Sequence, residues 1–230
     1  MSTVLFNLTT AALMVLMFKS GIALVGEDTL RRRPVPWAAV GLTALAVGAV
    51  VLQVTWSGAM ARFDADPSRA GWWRVFTSVF MQNGGVLGAV WNIATIAVIA
   101  ALAQWFWRGP LMLLLFTAGI LLPQQIDALF GETARSTDPR NFAGSSGATY
   151  FLAATLAAAL LFGTADRTQR LLAVSVPVVG LVLWVGQGNA HGLVTVYGFV
   201  LGAAVLPAAR RLGLTAPAPA ACPEAPVGRS

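Results

Sequence analysis

Apolar residues in this chain do not alternate with polar ones; they come in long runs separated by short clusters of charge. The runs cover residues 3–25, 37–56, 86–107, 110–126, 146–163, 171–187 and 190–208, seven stretches of 17 to 23 residues. At about 1.5 Å of rise per residue, helices of that length match the roughly 30 Å hydrocarbon layer of a bilayer. No strand-type alternation competes with them. The pattern therefore predicts an all-α, polytopic membrane helical bundle. The first run contains Asn7, Thr9, Thr10 and Lys19 and has no basic residue before its apolar core, so it reads as an uncleaved helix and not as a signal peptide. An interfacial helix is the alternative for this segment. Beyond Leu212 the chain is rich in Pro and Ala and lacks periodicity, the composition of a disordered tail.

Composition narrows the class further. Of the 230 residues 57% are apolar and 10% charged, against about 25% charged in a soluble domain. Mean hydropathy is +0.73, which excludes an ordinary soluble globular protein. Arg supplies all but one of the 15 basic residues, a bias that reads as genomic base composition, so the net charge of +6 does not point to nucleic acid. Cys222 is the only cysteine, which excludes an intrachain disulfide and leaves no Cys-based metal centre to propose. No cofactor is expected.

Basic residues orient the spans, because Lys and Arg in short loops are retained on the cytoplasmic side. With the N-terminus outside, the inner segments hold Lys19 and nine Arg, including Arg31, Arg32, Arg33, Arg167, Arg170, Arg210 and Arg211, against four acids. The outer segments hold Arg62, Arg69, Arg74, Arg135 and Arg140 against five acids. In this orientation the spans beginning at 86, 146 and 190 run inward, and Asn92, Ser146 and His191 all lie near outer helix ends. Asn92 is six residues, about 9 Å, into its span.

Two segments carry candidate chemistry. In Gly144-Ser145-Ser146-Gly147, glycines on both sides of a serine pair permit close approach at a helix start, where free backbone N–H groups can face a developing oxyanion. Close helix packing alone would select the same small residues. In the second segment His191, Gly198 and Gly202 are spaced by seven and four, which places imidazole and glycines on one helix face. An ionisable residue inside a span is a functional candidate by default, although a histidine can also serve a bundle contact. Trp72-Trp73-Arg74 lies where an aromatic belt with an anchoring Arg is expected.

Taken in order, these segments resemble the rhomboid family of intramembrane serine proteases over residues 37–208. The likeness rests on the six spans, the GxSG at 144–147, the histidine with following glycines, Tyr150 four residues after Ser146, and the Trp-Arg pair at Trp73-Arg74. The resemblance implies a rhomboid-like six-helix core at 37–208, preceded by an N-terminal helix and basic cytoplasmic linker at 1–36 and followed by a tail at 209–230. It implies Ser146 as nucleophile, His191 as general base without a carboxylate, and Asn92 with the Ser146 backbone N–H as oxyanion donors. Tyr150 would stack on the imidazole, and Gly144, Gly147, Gly198 and Gly202 would support the site; an ordinary packing aromatic is the alternative for Tyr150. Three positions depart from the family pattern. Gly88 and Gln82 stand where histidines are usual, and Val194 replaces a glycine three residues after His191.

The expected activity is cleavage of single-pass membrane proteins near the outer membrane face, with transmembrane-helix substrates and the lipid bilayer as partners. The expected location is a cell membrane, crossed several times, with the bacterial plasma membrane favoured. A non-catalytic rhomboid-like protein that binds membrane helices is the alternative. A channel or transporter fits less well because the spans are nearly free of charge, and a Ser-Lys hydrolase is disfavoured because Lys19 lies at the opposite face from Ser146. The topology is testable by cysteine accessibility in a Cys222→Ala background: Arg167→Cys should be shielded from impermeant reagents in intact cells, and external labelling there would reverse the orientation.

Overall fold

A computed structural model of the chain describes residues 3–66, 68–129 and 143–216. Among these residues the fold is entirely helical. Helix α1 is Thr3–Val25, followed by a 3₁₀ turn at Glu27–Arg32, α2 at Trp37–Thr55, the short α3 at Ala59–Phe63 and α4 at Arg74–Thr77, then α5 at Gly85–Leu129. Three more follow: α6 at Ser146–Leu161, α7 at Arg167–Gln187 and α8 at Ala190–Arg211. Helices α1, α2, α5, α7 and α8 are each long and apolar enough to cross a membrane, which makes this a multi-pass helical membrane bundle.

Helix α5 has 45 residues, and as a straight rod it would span about 68 Å, twice the hydrocarbon layer. It is not straight. Arg108 adopts φ 62°, ψ 161° inside it, and the following Gly109-Pro110 removes a helix donor. The Trp107 indole N–H donates to Thr155 Oγ1 on α6 at 3.0 Å, while Gly119 lies against Phe151 of the same helix. Twelve residues of straight helix would separate Trp107 from Gly119 by about 18 Å, whereas Thr155 and Phe151 are about 6 Å apart. The chain therefore turns back at Arg108, and the stretches expected at 86–107 and 110–126 are the two arms of α5.

Helix α6 is the centre of the bundle. Every residue from Ala148 to Leu160 is buried. Helix α1 packs on it through fully buried Leu13, Met14 and Met17, and Gly21 sits between Leu102 of α5 and Leu156 of α6. The first helix is thus an integral member of the bundle and not an interfacial one.

Glycine sets the closest approaches. A Cβ on Gly198 would collide with the Phe151 carbonyl oxygen, and one on Gly202 would come within 2.6 Å of Thr155 Cα, so α8 lies backbone to backbone on α6. Gly180 and Gly192 do the same between α7 and α8. Helix α2 is held more loosely, with open space at Gly41 and Gly48 and an apolar cavity of about 630 Å³ between it and Phe63, Phe80 and Met81.

Helix ends differ from the sequence reading by a few residues. Helix α2 stops at Thr55 and α6 at Leu161, while α5 continues to Leu129 and α8 to Arg211. Helix α7 starts at Arg167 instead of 171 because the Asp166 carboxylate caps it, accepting from Gln169 N at 2.7 Å. At one end of the bundle Arg33 donates to Val25 O, Trp105 to Pro34 O, Arg210 to Phe162 O and the Ala216 N–H to Phe106 O. Ser146 and His191 lie at the other. The expected tail, including Cys222, falls outside the described residues apart from its start, as does most of the loop before Ala143.

The α6–α8 contact predicts opposite outcomes for one substitution at two glycines. Both Gly198→Ala and Gly48→Ala raise helix propensity by about 1 kcal/mol. Gly198→Ala should nevertheless lower the thermal midpoint in detergent, since overpacking costs about 1–3 kcal/mol, whereas Gly48→Ala should hold or raise it. An unchanged midpoint for Gly198→Ala would count against the close contact.

Candidate active site

Ser146 is the first residue of α6, and the turn before it is built by Gly144. That glycine has φ +135°, a conformation side chains rarely adopt, and its N–H donates to Ser78 O at 3.0 Å. A Cβ at Gly144 would stand 3.8 Å from Asn92 Nδ2 and 3.9 Å from Ser146 Oγ, so its absence keeps the space between those groups clear. The first N–H groups of α6 have no intrahelical acceptor and point to the same helix end. Ser145 is the preceding cap residue; it is fully buried, and its hydroxyl has no hydrogen-bond partner among the described residues.

His191 is delivered by a two-residue connection. Gly188, left-handed at φ 60°, ends α7, and Asn189 begins α8 as its cap, with its side-chain oxygen accepting the His191 backbone N–H at 3.0 Å. The same oxygen lies 3.2 Å from His191 Nδ1. Because a backbone N–H can only donate, this atom is the amide oxygen, and it therefore accepts the Nδ1 proton. Nε2 is left with its lone pair facing Ser146 Oγ at 3.0 Å. A hydroxyl, an imidazole and an amide thus form one directional chain, Ser146 to His191 to Asn189.

Two further contacts fix the ring. Tyr150, one helical turn after Ser146, lies with its ring centroid 4.8 Å from that of His191 at an interplanar angle of 59°. Its hydroxyl donates to Thr10 O on α1 at 2.7 Å. The Asn189 amide nitrogen donates to Thr10 Oγ1, also at 2.7 Å.

On the other side of Ser146, Asn92 Nδ2 donates to Gln82 Oε1 at 2.6 Å. Gln82 is itself clamped at the end of α2: Gln53 donates to its carbonyl at 2.7 Å and accepts from its N–H at 3.1 Å. Among the described residues nothing lies within 4 Å of where a Gly88 Cβ would be. The Trp-Arg segment organises the loop behind this flank. Arg74 is buried, pairs with the Asp64 carboxylate at 3.1 Å and donates to Asp64 O at 3.0 Å, with its guanidinium 5.2 Å from the Trp73 ring centroid.

The structure brings together Ser146, His191, Tyr150, Asn92 and Gly144, with Gly198 and Gly202 setting the helix contact beneath them. Gly147 makes no close packing contact: among the described residues a Cβ there would meet nothing within 4 Å. Asn189 and Thr10 belong to the site although sequence reasoning gave them no part in it, and Gln82, noted there only as standing where a histidine is usual, is the hydrogen-bond partner of Asn92. A Gly-Asn pair between two apolar runs is a helix stop followed by a cap, the signal that could have drawn attention to Asn189.

No protein-family model, curated protein or solved structure matches the chain.

Proposed function

We propose that the chain is an intramembrane serine endopeptidase of the rhomboid type, cleaving single-pass membrane proteins near the outer face of a cell membrane, with a bacterial plasma membrane as its setting. In this reading α2, the two arms of α5, α6, α7 and α8 form the six-helix core, and α1 is an additional helix. The observation that carries it is the 3.0 Å approach of Ser146 Oγ to His191 Nε2, with the opposite ring nitrogen engaged by Asn189. An unassisted serine hydroxyl is a poor nucleophile, and this arrangement supplies its base.

The chemistry follows from those atoms. As Ser146 Oγ bonds to the scissile carbonyl carbon, its proton passes to His191 Nε2 and the carbonyl oxygen becomes an oxyanion. Asn92 and the N–H groups at the start of α6 are the donors available to that oxygen. Collapse breaks the C–N bond, and the leaving amine takes the proton from Nε2. Water, deprotonated by the same nitrogen, then releases the acyl group from Ser146. A peptide bond inside an intact helix is inaccessible to this attack, so substrates should carry Gly, Pro or other helix-weakening residues near the cut.

One observation favours a second reading, a non-catalytic rhomboid-like protein that binds membrane helices. The Asn92 amide is bonded to Gln82, and Gly88 supplies no donor. For Asn92 to serve the oxyanion it has to present its other N–H.

Reactivity separates the two. Purified protein should label with a fluorophosphonate or isocoumarin probe; Ser146→Ala should abolish the label, and His191→Ala should reduce it at least 100-fold with the thermal midpoint retained. Ser145→Ala should label normally, since it removes only an unpartnered hydroxyl. A wild-type protein that stays unlabelled while an active rhomboid protease labels alongside it would favour the non-catalytic reading. Asn92→Ala should lower kcat by about 10-fold to 1,000-fold with little change in KM, and an effect on KM alone would make Asn92 structural.

A further inference from the structure

We infer that Thr10, on the N-terminal helix α1, is a positioning residue that sets the orientation and tautomer of His191. In its consequence for turnover this rests on the proteolytic reading; in its consequence for the ring it does not.

Thr10 is bonded to both Tyr150 and Asn189, the side chains that touch the imidazole on the sides away from Ser146. Its main-chain oxygen accepts the Tyr150 hydroxyl at 2.7 Å, and its side-chain oxygen accepts the Asn189 amide N–H at 2.7 Å. Tyr150 covers the ring, and Asn189 holds Nδ1. The hydroxyl is already committed as a donor to Phe6 O, four residues back, at 2.7 Å. Back-bonding of this kind is common for a helical Thr and leaves a lone pair turned outward, so Thr10 is a fixed acceptor and not a rotor that could donate to Asn189 instead. A fixed acceptor holds the amide nitrogen. With the His191 backbone N–H calling for the oxygen at the other end, the amide oxygen faces His191, where it receives the Nδ1 proton and keeps Nε2 free for Ser146.

The location of these contacts shows what α1 contributes. Asn189 is fully buried, so its amide N–H has no water to turn to once Thr10 Oγ1 is removed. Thr9 adds a second contact at the same level: its hydroxyl, within bonding distance of Leu5 O and Phe6 O one turn back, also lies 3.1 Å from Gln187 Oε1 at the end of α7. Below these bonds Leu13, Met14 and Met17 seat the helix in the core. The imidazole is therefore held from three elements: α6 through Ser146 and Tyr150, the start of α8 through Asn189, and α1 through Thr10.

The protein contains a single histidine, so the nitrogen NMR signals of a histidine-labelled, detergent-solubilised full chain come from His191 alone. At alkaline pH, where the ring is neutral, wild type and Thr10→Ser should show the Nδ1-protonated tautomer. Thr10→Val keeps the branched shape but removes the oxygen, and it should give a mixture of tautomers. In parallel its fluorophosphonate labelling rate and its kcat should fall at least 10-fold with KM unchanged, and Thr10→Ser should restore both. A His191 signal in folded Thr10→Val identical to wild type would overturn the inference, even if the variant melts earlier, since that is the result of a purely structural role. Should Thr10→Val not fold, Thr10→Ala removes the same oxygen without the extra methyl, and the same two outcomes apply. If wild type takes no label at all, proteolysis fails as a reading while the ring signal still decides the role of Thr10.

Discussion

Ser146 and His191 meet because α6 and α8 run side by side with their backbones in contact, and that contact exists only where Gly198 and Gly202 leave room for Phe151 and Thr155. In a bilayer the hydrophobic effect does not press helices together, since lipid tails are as apolar as Leu; close van der Waals fit and interhelical hydrogen bonds do the work. Gly198 faces Phe151 and Gly202 faces Thr155, so the helices are parallel and advance in step. Counting back from that contact, five residues along α6 and seven along α8, arrives at Ser146 and His191, a difference of about 3 Å in level that their side chains span. Position of the reactive pair is thus a result of packing about two turns away.

Around that pair the polar groups form two chains that converge from opposite flanks. One runs from Thr10 through Asn189 to the imidazole; the other runs from Gln53 through Gln82 to Asn92. Each link is a donor matched to an acceptor, and several of the groups are buried, Asn189 completely and Gln82 nearly so. In a low-dielectric setting a satisfied network is rigid, and a broken one leaves a costly unpaired group. Side chains from distant parts of the sequence are fixed in this way without a single charge among them.

The spans were legible because a run of apolar residues as long as the bilayer is thick has few other uses, and even the reversal at Arg108 was visible as the short gap between two runs. Helix ends were not, since caps such as Asp166 depend on one side chain and leave no trace in hydropathy. Ser146, His191 and Tyr150 stood out by motif, but the hydrogen-bond partners behind them did not. Thr10 looked like a defect in an apolar run, and Gln82 like the loss of a histidine; each is a hydrogen-bond partner whose value depends on what lies opposite it in space. Gly147 is a different case: small residues beside Ser146 suggested close packing on both sides, and among the described residues only the Gly144 side has neighbours within 4 Å.

Helix α6 is 16 residues long, about 24 Å, and protein surrounds it on every side. A helix that faces lipid must answer to bilayer thickness, by tilting or by deforming the membrane around it. Helix α6 is exempt. Its neighbours on the outside of the bundle meet the lipid and can adjust, while the depth at which Ser146 sits is a dimension internal to the protein. Bilayers of different thickness would then move the surrounding surface relative to the serine, and the depth of Ser146 below the headgroups would be a property of the membrane, with the site itself unchanged.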